Sequence, residues 1–340
     1  ISTKAESRET TMRNYKYMYD RFIRGGFGKK KIASVKYSDV LQFYQHLLKE
    51  KEMQINTLET IHTVLHPTFQ LAVRDNIIRV NPSDGVMAQI KKQPGKNHGV
   101  RHALTVEQQR AFIRYIDESP TFYHWASFFK FLLGTGCRIG EAIGIRWEDI
   151  DFENKLLRVN RQVQWHQGKR TKKDIKLYNG TSKSNGYWYF SEPKYNSYRQ
   201  IDLDDELIAL LKREKEWQLK SEEYYAEYYT RYYCNQKLYV LGEKPTYDII
   251  PMNPIKTTKT DNEINFVCRR ENGTFTSPRV LTHASSVIHR ELNFPEYDTY
   301  SLRHTHATML LENNVNMVYV QKRLGHKDIS VTMNIYANHV

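Results

Sequence analysis

The sequence has few cysteines and no long apolar segment. Its three cysteines, Cys137, Cys234 and Cys268, are far apart and odd in number, so they predict neither a disulfide framework nor a metal cluster. A reducing cytoplasm fits this usage. Nothing in the sequence resembles a signal peptide or a membrane span. We therefore expect a cytoplasmic protein that has no membrane partner.

Acidic residues are in the minority. The 51 lysines and arginines against 38 acidic residues give a formal net charge of +13, which favours a polyanionic partner. No Walker motif or cysteine–histidine metal spacing appears, and a nuclease that uses two metal ions would need several carboxylates. Tyrosine is abundant, with 24 residues. Many of them stand among basic residues, a mixture that can contact phosphate, sugar and base.

The first 90 residues show the spacing of a small helical bundle. Residues 12 to 23 carry apolar side chains at intervals of three and four. Ser38 and Asn56 can cap the second and third helices. Pro67 should break or kink the third helix, because proline removes a backbone donor and clashes with the preceding turn. We expect four or five helices here.

The composition of this bundle leaves two roles open, a structural or dimerising bundle and a DNA clamp. The clamp is favoured by a set of basic residues, namely Arg13, Lys16, Lys29, Lys30 and Lys31. Residues 91–103, which include Lys91 and Lys92, are polar, basic and interrupted by proline and glycine, so they predict a linker. A basic linker between two basic domains suits a clamp around a rod-like polyanion.

Residues 104–340 predict a second domain that mixes helices and strands. Thr105 followed by Gln108 is a capping-box pattern that starts a helix. Short segments rich in aromatic or β-branched residues predict strands within 155–166, 187–190 and 198–203. Asp204 can cap a helix that continues to about residue 233. Residues 242–263 predict a loop, a strand follows at 264–268, and the remainder is helical.

Two arginines in this domain can bind a phosphate. Arg138 follows a Gly-Thr-Gly break at the start of a helix, where a guanidinium can fork onto two phosphate oxygens. Its alternative role is a salt bridge to Glu141, three residues later. Arg303 lies in another helical stretch, and its alternative is an ordinary surface position. Each arginine taken alone would favour its alternative role. The presence of both arginines together with His326 and Tyr336 favours phosphate binding instead.

His326 and Tyr336 supply what a phosphodiester attack would need. His326 follows Leu324-Gly325 at a turn between helices, where it can cap a helix or bind a phosphate oxygen. For Tyr336 the alternative is ordinary packing, and its place ten residues after His326 singles it out. Phenol has a pKa of about 10, so attack would need the arginines and a proton acceptor.

A leaving 5′-hydroxyl also needs a proton. Lys194, in a turn between two predicted strands, is the best candidate for the general acid. Lys172 and Lys173 lie in the same lysine-rich region and are candidates for DNA contact. His304 and His306 flank the second arginine, but a spacing of two points them apart on a helix, so we interpret them as packing or supporting residues.

With these residues and the motifs around them, the chain resembles the tyrosine recombinases, most closely the integrases of Gram-positive phages and conjugative transposons. The resemblance rests on Thr-Gly-x-Arg-x-x-Glu, Leu-Arg-His-Thr-x-Ala-Thr and Leu-Gly-His followed by tyrosine, and it spans nearly the whole chain. It implies an all-α core-binding domain over 1–90 and a mixed α+β catalytic domain of the DNA breaking-rejoining type over 104–340. Together these would form a C-shaped clamp on duplex DNA.

The resemblance also implies a chemistry without metal, ATP or other cofactor. Tyr336 would form a 3′-phosphotyrosine link, while Arg138 and Arg303 bind the scissile phosphate. Lys194 would protonate the leaving oxygen and His326 would support the phosphate. Four protomers would exchange strands at DNA attachment sites through a Holliday junction, with accessory DNA-bending or directionality proteins. The mobile element would thereby be integrated or excised.

One position departs from the family pattern. The family usually has histidine three residues before the second arginine, and Tyr300 stands there instead. Tyrosine can donate a hydrogen bond but is a poor base at neutral pH. Tyr300 could instead support the phosphate, and removal of the proton from Tyr336 is left to His326 or water.

Two other classes share some of these features. A topoisomerase of type IB would use the same chemistry but relax supercoils alone. A catalytically silent DNA-binding protein would keep its activity after Arg138→Ala or Tyr336→Phe. Strand exchange between two DNA molecules would distinguish a recombinase from a topoisomerase. The two substitutions would distinguish a recombinase from a silent DNA-binding protein.

Overall fold

The computed structural model describes residues 9–92, 102–167, 186–236, 247–252, 262–294 and 296–337. The chain forms two compact units, Ile1–Val100 and Arg101–Val340. Most of the linker predicted for 91–103 lies outside the described residues. Within those ranges, every helix is too short or too polar to cross a membrane.

The described part of the first unit is helical. Its α-helices are α1 (Glu9–Met18), α2 (Tyr37–Lys49), α3 (Ile55–Arg74) and α4 (Val86–Lys91). A π turn follows α1 at Tyr19–Ile23, and 3-10 turns at Phe27–Lys29 and Ile32–Ser34 precede α2. The core between the helices includes the fully buried Tyr44, Leu58 and Ile61. The Tyr44 hydroxyl lies 2.9 Å from Nδ1 of His62.

The two predicted caps in this unit were each wrong by two positions. Helix α2 begins after Lys36, whose N–H donates to Oδ2 of Asp39 at 2.9 Å. Asp39, at the third position of the helix, therefore accepts from the residue that precedes the helix. Helix α3 begins at Ile55, which is 3% exposed. Burial of this apolar side chain extends the helix past the cap predicted at Asn56.

The break predicted at Pro67 is absent, since α3 runs through this residue without interruption. Buried side chains stand on the same helix face before and after the proline, including Leu65 and Phe69. Burying such a side chain stabilises the fold by roughly 1.5–3 kcal/mol. Several of these contacts together offset the missing hydrogen bond of one proline.

The described residues of the second unit are mostly helical, with two small antiparallel sheets. Its α-helices are α5 (Val106–Glu118), α6 (Ala126–Thr135), α7 (Ile139–Ile143), α8 (Asp205–Tyr225), α9 (Pro278–Glu291), α10 (Thr299–Glu312), α11 (Met317–Leu324) and α12 (Ile329–Ala337). The strands are β1 (Ile150–Asp151), β2 (Leu156–Val159), β3 (Gln162–Gln167), β4 (Gly186–Ser191), β5 (Arg199–Asp202), β6 (Tyr232–Gln236) and β7 (Tyr247–Pro251). This confirms the mixed α+β expectation for the second unit.

The first sheet has the strand order β1-β2-β5, and the second has the order β3-β4-β7-β6. In the first, Leu157 pairs with Ile201, and both side chains are fully buried. In the second, Trp165 pairs with Trp188. Helix α6 lies in the core of the unit, with seven of its ten residues buried. This helix is apolar over most of its surface, a pattern that favours a place in the core.

Local caps in this unit are as predicted. The Thr105 hydroxyl accepts from the N–H of Gln108 at 3.3 Å, and the Gln108 side chain accepts from the Thr105 N–H at 2.9 Å. Oδ1 of Asp204 accepts from the N–H of Leu207 at 2.7 Å. These caps start α5 and α8.

Three predictions between 221 and 268 were wrong. Helix α8 ends at Tyr225 instead of continuing to 233, and β6 begins at Tyr232. Strand β7 lies inside the segment predicted as loop, between β4 and β6. Residues 264–268 form only a single bridge, from Phe266 to Arg146. These elements depend on strand pairing with partners that are distant in the chain. The spacing of neighbouring residues does not show such pairing.

Candidate active site

The site is built around the turn that ends α11. The last carbonyls of a helix have no partner within the helix and must find donors elsewhere. The chain turns at Gly325 with φ +66°, a left-handed conformation that favours glycine. A Cβ at this position would lie 2.9 Å from Cβ of Ser197 and 3.1 Å from Nη1 of Arg199. The close approach of β5 therefore also requires glycine.

Three arginines donate to three consecutive carbonyls of this turn. Nε of Arg199 donates to the Arg323 carbonyl at 2.7 Å. Nη2 of Arg303 donates to the Leu324 carbonyl at 2.6 Å, and Nη2 of Arg138 donates to the Gly325 carbonyl at 2.9 Å. We call residues 323–325 the carbonyl turn. It brings together guanidinium groups from three separate parts of the chain.

Arg138 is held on its other side by a carboxylate. It stands at the N-cap of α7, where Nη1 donates to Oε1 of Glu141 at 2.7 Å. The salt bridge weighed against a phosphate role is therefore present, together with the contact to the carbonyl turn. The Arg138 side chain is 12% exposed, so part of it reaches the surface.

Glu141 is fully buried and is shared between two arginines. Its Oε2 accepts from Nη2 of Arg199 at 2.7 Å. Burial alone would raise the pKa of Glu141, but the guanidinium groups of Arg199 and Arg138 lower it to about 2. Glu141 is thus ionised at neutral pH and fixes both arginines.

Arg303 is almost entirely enclosed, at 5% exposure. It lies in the first half of α10, which is capped by Asp298 through the N–H of Tyr300 at 2.8 Å and that of Ser301 at 3.1 Å. Its Nη1 donates to the Gly136 carbonyl at 2.7 Å. Burial, and then the neighbouring charge of Arg138, lower the pKa of Arg303 to about 9. The group is still cationic at neutral pH.

His326 follows the carbonyl turn directly and is half-buried. Its Nδ1 lies 2.9 Å from the hydroxyl of Thr332 on α12. Burial, followed by the charges of Arg303 and Arg138, lowers the pKa of His326 to about 3. The imidazole is therefore neutral at pH 7 and provides one donor and one acceptor.

Lys194 stands in a 3-10 turn, Lys194–Asn196, between β4 and β5. The side chain is exposed, with Nζ 5.1 Å from the centroid of the Tyr195 ring. Tyr195 has φ 62° and Asn196 has φ 53°, which is uncommon for residues other than glycine. The same turn continues to Ser197, whose hydroxyl is 3.4 Å from Nη1 of Arg138.

The structure describes the side chain of only one of the two tyrosines predicted in the site. Tyr300 lies in the first turn of α10 and is 38% exposed. It precedes Arg303 by three residues and so shares its helix face. Tyr336 lies in α12, and its side chain is outside the described part of the structure.

Two arginines of this site were not predicted. Arg199 begins a strand, and no local pattern separates it from other basic residues. Arg323 is 9% exposed and shares the buried face of α11 with Val320 and Leu324. That spacing of three and four marks a core-facing position, and a charged residue there was a signal for a structural or functional partner.

The basic residues predicted to contact DNA lie on the surface where they are described. The exposed set is Arg13, Lys16, Lys29, Lys30, Lys31, Lys91 and Lys92. Lys30 pairs with Asp39, and Lys91 pairs with Glu59. Lys172 and Lys173 lie outside the described residues.

Residues 102–340 match the model of the phage integrase family. This match covers well over half of the chain. The chain belongs to the phage integrase family. Integrases of this kind are site-specific recombinases of the tyrosine class, which confirms the resemblance seen in the sequence.

Curated relatives of this integrase extend over nearly its whole length. The tyrosine recombinase XerC-like protein of Caldanaerobacter subterraneus subsp. tengcongensis is 26% identical, over 96% of this chain and 74% of the relative. The ICEBs1 integrase of Bacillus subtilis is 23% identical, over 99% of this chain and 76% of the relative. The transposase from transposon Tn916 of Enterococcus faecalis is 24% identical, over 97% and 70%.

Solved structures share the fold of this integrase. The Tn1549 transposon integrase in complex with a circular intermediate DNA has a TM-score of 0.73 and 22% identity, over 99% of this chain and 92% of that chain. A lambda integrase dimer bound to a COC' core site has a TM-score of 0.55 and 15% identity, over 98% and 90%. These likenesses identify the tyrosine recombinase fold.

Proposed function

We propose that this integrase cuts and rejoins duplex DNA through a covalent 3′-phosphotyrosine link to Tyr336. One observation carries the proposal: the carbonyl turn gathers three guanidinium groups beside a neutral histidine. Against them the site holds one buried carboxylate, Glu141. The excess of positive charge suits a phosphodiester and the additional negative charge of its transition state.

Arg138 and Arg303 would bind the non-bridging oxygens of the scissile phosphate. Arg303 donates two N–H groups to the protein, and Arg138 donates two or three, while a guanidinium has five. The contacts to Gly325, Leu324 and Gly136 thus orient the arginines before DNA arrives. Such preorganisation avoids rearrangement during the reaction. Arg199, which is held by Glu141, adds charge behind them.

The reaction would exchange one phosphoester bond for another. The Tyr336 oxygen attacks phosphorus, the bond to the 5′ oxygen breaks, and Lys194 gives that oxygen a proton. The freed 5′-hydroxyl of a partner strand attacks the phosphotyrosine in the reverse step and releases Tyr336. The energy of the phosphoester bond is retained in the phosphotyrosine link, so the reaction requires no nucleotide hydrolysis.

His326 fits a hydrogen-bonding role better than that of a base. A group whose pKa is lowered to about 3 accepts a proton poorly at neutral pH. A bound phosphate would raise this pKa and strengthen a donated hydrogen bond. We assign His326 to a phosphate oxygen, and the proton of Tyr336 to water or to Tyr300 as a relay.

The first unit would act as the core-binding half of a DNA clamp. We assign residues 1–90 to this domain, 91–103 to the linker and 104–340 to the catalytic domain. The exposed basic set of the first unit supplies phosphate contacts, and Lys172 and Lys173 are further candidates. Four protomers would exchange strands through a Holliday junction, assisted by accessory proteins, to integrate or excise a mobile element. The site of action is cytoplasmic DNA.

The test uses a nicked duplex made from the sequence that flanks the gene, incubated without divalent metal. We expect a protein–DNA adduct that resists SDS for the wild type and none for Tyr336→Phe. A second duplex as strand acceptor distinguishes strand exchange from relaxation by a topoisomerase. Binding without any adduct would contradict the proposed chemistry and favour a DNA-binding role.

A further inference from the structure

Behind the carbonyl turn lies a second set of contacts that the proposed chemistry does not use. The Arg323 side chain is buried on the side of α11 that faces the core. Its Nε donates to Nε2 of His306 at 3.0 Å. Its Nη1 donates to the Asp202 carbonyl at 3.0 Å, and its Nη2 donates to the Gly134 carbonyl at 3.3 Å. One side chain thereby ties α11 to α10, β5 and the end of α6.

The main chain of the same residue begins the carbonyl turn. Its carbonyl accepts from Arg199, and the next two carbonyls accept from Arg303 and Arg138. Because peptide units are planar and covalently joined, a shift of residue 323 moves all three acceptors. The side chain and the carbonyl of Arg323 thus link the interior of the domain to the three arginines.

His306 supports the arrangement from α10. It lies three residues after Arg303, on the same helix face, and is 5% exposed. An arginine Nε–H can only donate, so Nε2 of His306 must be unprotonated to accept it. Burial, followed by the charge of Arg323, lowers the pKa of His306 to about 3, so the imidazole is unprotonated at neutral pH. Its ring fills the space beside Gly136, where a Cβ would lie 2.6 Å from Cδ2 of His306.

We propose that Arg323 and His306 are a positioning pair for the phosphate site. They fix the carbonyl turn and the Gly136 carbonyl, and through these acceptors they set the directions of Arg138 and Arg303. Neither side chain touches DNA in this assignment. The inference rests on the proposed function, since it assumes that those arginines bind the scissile phosphate.

The contacts of Arg323 argue against a direct role in binding DNA. Its guanidinium already donates to three buried or partly buried acceptors, and Nη1 also lies 3.3 Å from the Tyr319 hydroxyl. A phosphate contact would require these hydrogen bonds to break. A purely structural role predicts lower stability on substitution, whereas a positioning role predicts a specific loss at the scissile phosphate.

The first readout separates catalysis from binding. His306→Leu and Arg323→Gln are compared with wild type in single-turnover cleavage of the nicked duplex at saturating protein. We expect cleavage to be slower by ~10-fold or more while the DNA Kd stays within about 3-fold, the pattern of an interaction made in the transition state. Arg213→Gln, a change of an exposed arginine on α8, serves as the control and should match wild type.

The second readout needs no cleavage. In the Tyr336→Phe background, Kd is measured for a duplex with a normal scissile phosphate and for one with a methylphosphonate there, which lacks the negative charge. If the wild-type arginines gain about 1.4 kcal/mol from that charge, the ratio of the two Kd values is ~10. We expect Arg323→Gln to lower this ratio about 3-fold through weaker binding of the normal duplex, while the Kd of the methylphosphonate duplex stays unchanged.

A conservative variant completes the test. The side-chain oxygen of His306→Gln can accept from Arg323, so we expect most of the cleavage rate to return relative to His306→Leu. The inference would be overturned if His306→Gln and His306→Leu slowed cleavage equally. It would also be overturned if Arg323→Gln left the ratio of the two Kd values unchanged. Wild type that forms an adduct while the variants cleave normally refutes only the positioning role. Wild type that forms no adduct but shows the expected Kd ratios refutes only the chemistry.

Discussion

At the scale of single residues, Glu141 decides how the cationic site can exist in the folded protein. Three guanidinium groups that share one turn repel each other, and each loses hydration on burial. The carboxylate accepts from Arg138 and Arg199 at 2.7 Å each and so compensates part of this cost. Removing the carboxylate should therefore affect both stability and acid sensitivity.

The pKa of Glu141 gives the sign of this effect. The folded value is lowered from 4.5 to about 2, so the native state binds its proton less readily than the unfolded chain. The stabilisation is present above the unfolded pKa and is lost as pH falls from 4.5 towards 2. We expect Glu141→Gln to cost ~3–5 kcal/mol at pH 7, the usual result of leaving a buried charge uncompensated.

Urea unfolding of both proteins at several pH values measures this. The difference between wild type and Glu141→Gln should shrink as the pH falls through that window. A difference that is constant with pH would contradict the assignment of the charge. Glu118→Gln, a change on the exposed end of α5, is a matched control and should alter stability little.

At the scale of elements, the turn between α11 and α12 depends on Gly325. Alanine there would have to adopt φ +66° and place its Cβ 3.0 Å from the Ser197 hydroxyl. The left-handed conformation alone costs about 1–2 kcal/mol for an L-residue other than glycine. The carbonyl turn would shift away from β5, and Arg138 would shift with it.

We expect Gly325→Ala to lower the free energy of unfolding by ~1–3 kcal/mol and to slow cleavage of the nicked duplex. Gly25→Ala is the matched control, because a Cβ at Gly25 meets nothing within 4 Å. Unfolding and single-turnover cleavage measured on both variants test the prediction. Equal behaviour of the two glycine variants would show that the turn tolerates displacement.

Elements that depend on local signals were predictable, and those that depend on distant partners were not. The caps at Thr105 and Asp204 bond to residues three positions away, so a short segment contains the whole cause. Strand β7 is paired only through β4 and β6, and Pro67 is tolerated because of a core assembled from several helices. Neither cause can be read from neighbouring residues.

The same distinction applies within the site. Arg138, Arg303 and His326 were singled out by their motifs, and the structure brings them together at the carbonyl turn. Arg199 and Arg323 carry no motif. Their role depends on a contact between residues more than 120 positions apart, which spacing along one sequence cannot reveal.

At the scale of the whole molecule, the net charge of +13 predicts how binding responds to salt. Each phosphate contact releases counterions from DNA, so the logarithm of affinity falls linearly with that of salt concentration. For roughly 6–10 contacts, affinity should fall about 10³- to 10⁵-fold between 50 and 200 mM salt. An affinity that stays flat over this range would contradict the clamp.

The proposed DNA surface of the first unit can be tested in the same titration. We expect Lys29→Gln combined with Lys31→Gln to reduce the salt slope by about one per lysine. Because phosphate contacts carry no sequence information, affinity for unrelated duplexes should fall in parallel. Lys51→Gln, a change of an exposed lysine outside the predicted set, is the control. If the double variant had the same salt slope as this control, Lys29 and Lys31 would not contact DNA, and the phosphate contacts would have to come from other basic residues.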